Sequence, residues 1–419
     1  MRLGTAARIC ALVGWLLALC ACGAPATTKP SGTGPPAGSH AITAGTITLF
    51  TKGLVPGSYP GSLVAAPGGP LWFNDGGAFI GKITPSGAIT EIPTGLSPGD
   101  VITSLVAGPQ GSLWFTVVAP QAIGRITASG TVTLFSQGLL PLGNFLRHIV
   151  YGPDGNLWFT DAGNLPGTRG IGRITPSGVI TMFTKGLPSQ SLPNDIVIGP
   201  DGNLWFTVAP AFSYPGPPSP SAIGRITPAG VITLFTKGLP SGSRPSEIVV
   251  GPDGNLWFTD LSGAIGRVSP TGGITEFTKG LSSQSQPNAM VVGPDGNLWF
   301  TVAPSFGSTA PSSAIGRITP SGVITEFTKG LRSGGNPSGI VAGPDGSLWF
   351  TDYLVPGTAG GLIIGRITAA TGVITLVTTG LGGGPTSAAA GAGTIVAGPD
   401  GTLWFTGGGM GPDIGRITP

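Results

Sequence analysis

The chain has 419 residues, of which only 9% are charged, and it carries a formal net charge of +3 with 75 glycines and 42 prolines. So little charge, with no basic stripe, excludes a nucleic-acid partner. The turn-former content fits a turn-dense all-β protein, and the strict internal period described below argues against disorder.

Arg2 and Arg8 flank the start of an apolar run from Ile9 to Leu19, too short to span a bilayer, and Leu19-Cys-Ala-Cys22 ends it. Residues 1–22 therefore read as an export leader. The pattern resembles a bacterial lipoprotein signal, with Cys22 as the lipidated N-terminus; an ordinary secretory signal cut nearby is the other reading. Losing Arg2 and Arg8 lowers the formal charge from +3 to +1. Cleavage at Cys22 also removes Cys10 and Cys20, so the fold must hold without a disulfide. Residues 23–45, mostly Gly, Ala, Pro, Thr and Ser with His40 among them, form a flexible tether. These features predict an exported, monomeric cell-surface or periplasmic lipoprotein that touches the membrane only through its anchor.

From residue 46 to 419 one unit repeats. Leu-Trp-Phe occurs at Trp72, Trp114, Trp158, Trp205, Trp257, Trp299, Trp349 and Trp404, with 42 to 55 residues between successive tryptophans. Each unit holds four short apolar segments rich in Ile, Val, Thr, Phe and Trp, bounded by Gly, Pro, Asp and Ser, which read as strands. Four strands at this period make a propeller blade. Pro-Asp-Gly after the first strand and Pro-Ser-Gly or Pro-Ala-Gly after the third supply tight turns, both on one face of the disc. The first fourth-strand segment, Ile47-Thr-Leu-Phe50, precedes the first Trp, and Pro419 follows a third strand. The N-terminal segment is thus free to complete the last blade and cover its open edge. The count predicts eight blades, with seven as the alternative. Asp75, Asp161, Asp260 and Asp352 alternate with Val117, Val208, Val302 and Gly407 two residues after Leu-Trp-Phe, a pattern that closes without a seam only on an even ring.

On the other face of the disc, the connections between second and third strands vary widely in length, and Phe212, Tyr214, Phe306 and Tyr353 sit on the long ones. Variable loops on a rigid scaffold are where binding concentrates, although Pro-rich loops are also tolerated as filler. The four alternating aspartates have two readings: a carboxylate ring at the channel mouth able to attract a cation, or local Asx caps of their own turns. Arg125, Arg173, Arg225, Arg267, Arg317, Arg366 and Arg416, with Lys82, recur once per blade and read as architecture. Lys185, Lys237, Lys279 and Lys329 read as a solvated rim.

Pro-x-x-Ile, Gly-Pro-Asp-Gly-x-Leu-Trp-Phe-Thr, Ile-Gly-Arg-Ile-Thr and Gly-x-Ile-Thr-Glu-Phe together resemble the repeat of the virginiamycin B (streptogramin B) lyases across 46–419. The resemblance implies a magnesium-dependent lyase that opens a cyclic depsipeptide by elimination, on seven blades. It also implies working His and Glu residues around the channel mouth, after and before the first-strand Pro and shortly after Trp-Phe. Those positions depart from the family. After Pro, or its equivalent, come Gly61, Thr103, Arg147, Asn194, Ser246, Asn288, Ser338 and Gly393; before it stand Leu192, Arg244, Gln286 and Asn336; after Trp-Phe-x comes Asp, Val or Gly. An elimination needs a base and an enolate-stabilising group, and neither stands there.

One residue further along the first strand, consecutive blades carry His148, Asp195 and Glu247. Three such groups at equal height could hold a divalent ion or act as acid and base; chance polar substitution in a register that points away from the family's site is the competing reading. The sequence thus predicts a module that binds a peptide, glycan, small molecule or protein at the channel mouth, without a cofactor. The alternative is a magnesium-dependent lyase of the streptogramin B type built on displaced residues.

Overall fold

The computed structural model describes residues 45–419 apart from 67–68, 98, 141–144, 164–166, 189, 211–219, 305–312, 355–361, 378–380, 382–392 and 408–413. Blade five shows how one unit folds. Its inner strand Pro245–Val250 turns at Pro-Asp-Gly into Leu256–Asp260, which is followed by Ala264–Val268 and the outer strand Ile274–Phe277, each antiparallel to the last. Gly254 takes φ 76° in that turn, where any other residue would be strained.

The strands assemble into eight sheets of four. Seven are consecutive in sequence. The eighth takes Ile395–Ala397, Leu403–Thr406 and Ile414–Thr418 from the C-terminal end and its outer strand, Thr46–Phe50, from the N-terminal one. Phe50 lies opposite Ile414 and Thr46 opposite Thr418, so the edge that Ile414–Thr418 would expose is paired. Inner strands adjoin in succession, that of blade eight meeting that of blade one, and the ring closes on eight.

Side-chain alternation divides each blade into two packing faces. Trp257 and Ile265 of blade five pack against Leu298, Phe300 and Ile318 of blade six, and the same layer recurs at every blade junction. In blade five the tryptophan ring is held on three sides. Trp257 stacks on Phe277 with centroids 5.6 Å apart, and Arg267 lies 5.5 Å from both rings. The indole N–H donates to Asp253 Oδ1 of the Pro-Asp-Gly turn at 3.0 Å. Arg267 then donates to the Pro320 carbonyl of the next blade at 3.0 Å, and Arg416 does so across the closure, to Pro85 at 2.7 Å. The repeated cation is therefore a staple between blades. Beneath Phe258 the third strand has Gly266, where a Cβ would lie 1.9 Å from the ring.

A second stitch runs near the channel. The inner strand is bulged between Pro245 and Ile248, so Ser246 and Glu247 share one opposing position, beside Thr259. The Glu247 N–H that the bulge unpairs donates to Thr259 Oγ1 at 3.2 Å. Thr207, the same residue of blade four, donates to the Ser246 carbonyl of blade five at 2.6 Å. Thr116, Thr160, Thr301 and Thr351 make the same cross-blade bond.

Candidate functional site

Antiparallel order places the two hairpins of each blade on one face of the disc and the remaining connections on the other. The hairpins are uniform: Val250 to Leu256 in blade five, Ile198 to Leu204 in blade four, Val292 to Leu298 in blade six. On the loop face, the step from second to third strand runs only from Asp75 to Phe79 in blade one but from Pro210 to Ala222 in blade four and Pro304 to Ala314 in blade six.

At the start of the inner strands, the residues that follow the proline position form a neutral polar crown interrupted by one cation. Arg147 lies with its guanidinium 5.4 Å from the Phe145 ring and donates to Asn194 Oδ1 of the next blade at 2.6 Å. Asn194 Nδ2 in turn donates to the Ser246 carbonyl at 3.4 Å. Thr103 meets Thr116 at 2.7 Å and donates to the Leu146 carbonyl at 2.8 Å.

The second bulge residue carries His148, Asp195 and Glu247, which are 7%, 5% and 5% exposed. The structure brings the first two together: His148 Nδ1 is 2.6 Å from Asp195 Oδ1. The other Asp195 oxygen accepts the Ile248 N–H of blade five at 2.9 Å, and Oδ1 also accepts the Ile196 N–H at 2.7 Å. Ser104 fills the same role two blades earlier, accepting the Ile149 N–H at 3.3 Å. In blades two to four this position therefore bridges one inner strand to the next. The reading of a three-ligand cluster is not met: among the described residues no three His, Cys, Asp or Glu side chains converge as a metal group would require.

Asp75, Asp161 and Asp260 end their second strands, Asp352 stands two residues before the end of its own, and all four are buried. They do not form a carboxylate ring at the channel mouth. Each turns within its own blade toward the loop that leads into the inner strand. Asp260 Oδ1 accepts the Arg244 N–H, the Ser262 N–H, both at 2.8 Å, and the Ser262 hydroxyl at 2.6 Å. Asp161 accepts the N–H groups of Phe145 and Gly163, each at 3.1 Å. Asp75 accepts the Tyr59 N–H, and Asp352 lies 3.4 Å from Arg332 Nε. The Asx cap thus describes Asp161 and Asp260 and omits the partner 16 residues upstream. Burial pushes Asp161 up to about 6 against the N–H bonds from Gly163 and Phe145. It raises Asp352 as well, against the pull of Arg332.

Three functional-looking residues escaped the reading of the sequence. Glu91, Glu276 and Glu326 stand on outer strands opposite Gly81, Gly266 and Gly316. With no side chain on the glycine, each glutamate reaches its blade's incoming loop. Glu91 accepts the Val55 N–H at 2.8 Å and the Ser58 hydroxyl at 3.4 Å; Glu276 accepts the Ser243 hydroxyl at 3.0 Å; Glu326 accepts the Ser282 N–H at 3.0 Å and the Ser285 hydroxyl at 2.9 Å. Burial, then the neighbouring Asp75, pushes Glu91 up to about 7, and burial with Asp260 does the same to Glu276. The signal was present as Glu alternating with Leu or Met in an otherwise constant fourth strand. Of the four aromatics expected on loops, Tyr353 lies instead in the second strand Ser347–Leu354, which runs on past Asp352; it accepts a bond from Asn336 Nδ2 of the inner strand at 2.6 Å, and burial raises its hydroxyl. Phe212, Tyr214 and Phe306, like Cys22, lie outside the described residues.

The sequence matches the virginiamycin B lyase family over residues 39–207 and 219–419. The chain belongs to that family. Among solved structures, virginiamycin B lyase from Staphylococcus aureus is 26% identical with a TM-score of 0.58, the match covering 89% of this chain and all of that one, 100%. A streptogramin B lyase is 24% identical with a TM-score of 0.56 over 91% of this chain and 99% of the other. A catalytically inactive histidine-to-alanine variant of the S. aureus lyase, with quinupristin, aligns at 26% identity and a TM-score of 0.53 over 89% of this chain and 100% of the other. No curated protein matches the sequence. Among the described residues no helix is long and apolar enough to cross a membrane.

Proposed function

We propose that this member of the virginiamycin B lyase family is a binding module that presents a ligand site on its loop face and does not perform the family's elimination. The observation that carries this reading is the asymmetry of the disc: uniform hairpins on one face, second-to-third-strand connections of very different length on the other. A peptide, glycan, small molecule or protein held at the channel mouth would meet the polar crown around Arg147 and those loops. The ionisable groups an elimination would need support the same reading. His148 and Asp195 bond to one another, and Asp195 also accepts the Ile248 N–H inside the ring. Magnesium, which the family's activity implies, does not fit the described residues, among which no three His, Cys, Asp or Glu side chains converge.

The second reading is a lyase, favoured by family membership and by the His148–Asp195 pair, whose carboxylate would orient an imidazole base. Quinupristin incubated with the protein and magnesium separates the two. The binding module is expected to release no linear product. Product that vanishes in His148→Ala with the fold intact would replace it with the lyase.

Export and a lipid anchor at Cys22 belong to the same proposal. The outer strand Thr46–Phe50 runs from the hairpin face toward the loop face, so residues 23–45 join on the hairpin side. An anchored disc would then turn its loop face away from the membrane. Cys22→Ser is expected to move the protein from the membrane fraction to the soluble one; an unchanged distribution would remove the anchor.

A further inference from the structure

Blades one and five, opposite each other in the ring of eight, share an arrangement found nowhere else among the described residues. A second-strand aspartate and an outer-strand glutamate lie side by side on one face of the sheet, and both reach the same incoming loop. In blade one, Asp75 accepts the Tyr59 N–H while Glu91 accepts the Val55 N–H and the Ser58 hydroxyl. In blade five, Asp260 accepts the Arg244 N–H while Glu276 accepts the Ser243 hydroxyl. The remaining oxygen of each aspartate, Oδ2, is buried with no other partner. The glutamate carboxyl converges on the same loop, bonding the hydroxyl of Ser58 or Ser243, each next in sequence to the residue whose N–H the aspartate holds. Two ionised carboxylates in this contact repel, and one shared proton turns the contact into a hydrogen bond.

We infer that these two carboxyl pairs are proton-dependent clamps, closed when each pair holds one proton and released when it loses it, and that they fix the incoming loops of blades one and five on the loop face. Closure joins the outer strand, the second strand and the loop through one hydrogen bond. Loss of the proton drives the glutamate outward and frees the loop donors it held. Burial and the neighbouring aspartate, which push both glutamates up to about 7, place the release near neutral pH.

The cations of the third strands are turned away from the pairs. Lys82 and Arg267 project to the opposite faces of their sheets, over Trp72 and Trp257. From the blades packed against these faces, Arg416 and Arg225 reach the carbonyls of Pro85 and Pro270 at the hairpin end. The incoming loops add Lys52 to blade one, and Lys237 and Arg244 to blade five; both lysines are exposed. Blade six is a built-in control: Glu326 holds the Ser282 N–H and the Ser285 hydroxyl in the same way, but Val302 stands where the aspartate would be.

Glu91, Glu247, Glu276 and Glu326 are the chain's glutamates, so carboxyl carbon labelling of glutamate alone resolves them by NMR. Glu91 and Glu276 are expected to titrate near neutral pH and to fall back in Asp75→Asn and Asp260→Asn. Amide exchange on the unmodified full chain reads the loop. Protection at Val55 and Tyr59 should fall by up to about fivefold through that titration, while protection at Ser282 stays level. Titration of Glu91 and Glu276 that Asp75→Asn and Asp260→Asn leave unmoved would overturn the inference. So would a titration near neutrality that leaves the protection of Val55 and Tyr59 unchanged.

Discussion

Blades five and six lie side by side and share every bond of their hairpin half. Trp257 and Trp299 each donate to a turn aspartate at 3.0 Å, stack on Phe277 and Phe327 at 5.6 and 5.5 Å, and lie under Arg267 and Arg317. Toward the loop face the two diverge. Blade five has Glu247 and Asp260 where blade six has Ala289 and Val302. The hairpin half must fit a neighbour on both sides, so one residue change there is felt by two blades. On the loop side the second-strand aspartates and outer-strand glutamates bond within their own blade, and these residues are free to differ.

The largest test of that division is Trp257→Ala. It removes a fully buried ring, its stack with Phe277 and the platform under Arg267. A cost of about 4 kcal/mol is expected from cavity formation, read as a shift in the denaturant midpoint. Asp260→Asn in the same blade keeps the shape and an acceptor and should cost about 1 kcal/mol or less. Equal costs would erase the distinction between halves.

Next in size is the threonine stitch. Thr207→Val leaves the Asp195 N–H and the Ser246 carbonyl, now bonded to Thr207, buried without it. About 2 kcal/mol is expected for orphaned groups of this kind. Thr207→Ser should recover most of it, which a purely steric role would not allow.

The Pro-Asp-Gly cap comes third. Burial works upward on Asp253, but bonds from Asn255 and the Trp257 indole outweigh it and hold the carboxyl below its ordinary 3.8. A carboxyl lowered by folding stabilises above its unfolded value and loses that contribution as pH falls through the folded one. Asp253→Ala should therefore cost about 1 kcal/mol at neutral pH and progressively less in acid. A cost independent of pH would mean that the side chain acts without its charge.

Nearly the whole lattice was legible in the sequence, because each contact recurs eightfold and periodicity exposes it. The count of blades and the closure by Ile47–Phe50 followed from strand bookkeeping alone. The loop half was legible only in part. That Asp260 ends a second strand could be read from the motif; that it grips the Arg244 N–H could not, since that partner lies in the loop before the unit. His148 and Asp195 could be placed at equal height, but the register shifts that turn them toward one another, between Leu146 and Ile149 and between Pro193 and Ile196, are a property of the strand pairing. Glu91 and Glu276 were passed over because a glutamate on an outer strand ordinarily points into water.

The smallest expected effect distinguishes blade five from blade six by charge alone. Folding raises Glu91 and Glu276 from 4.5 to about 7. Between those values the folded chain binds more protons than the unfolded one, so stability falls as pH rises through the window and levels above it. Both groups are partly open to solvent, and screening keeps the effect under about 1 kcal/mol for each. The slope of the denaturant midpoint between pH 5 and about 7 should therefore shrink in Glu276→Gln and shrink again when Glu91→Gln is added. The slope should also shrink in Asp260→Asn, which gives blade five an uncharged neighbour like the Val302 of blade six. A slope that Asp260→Asn leaves unchanged would show that the outer-strand position, and not the paired aspartate, sets the pH response.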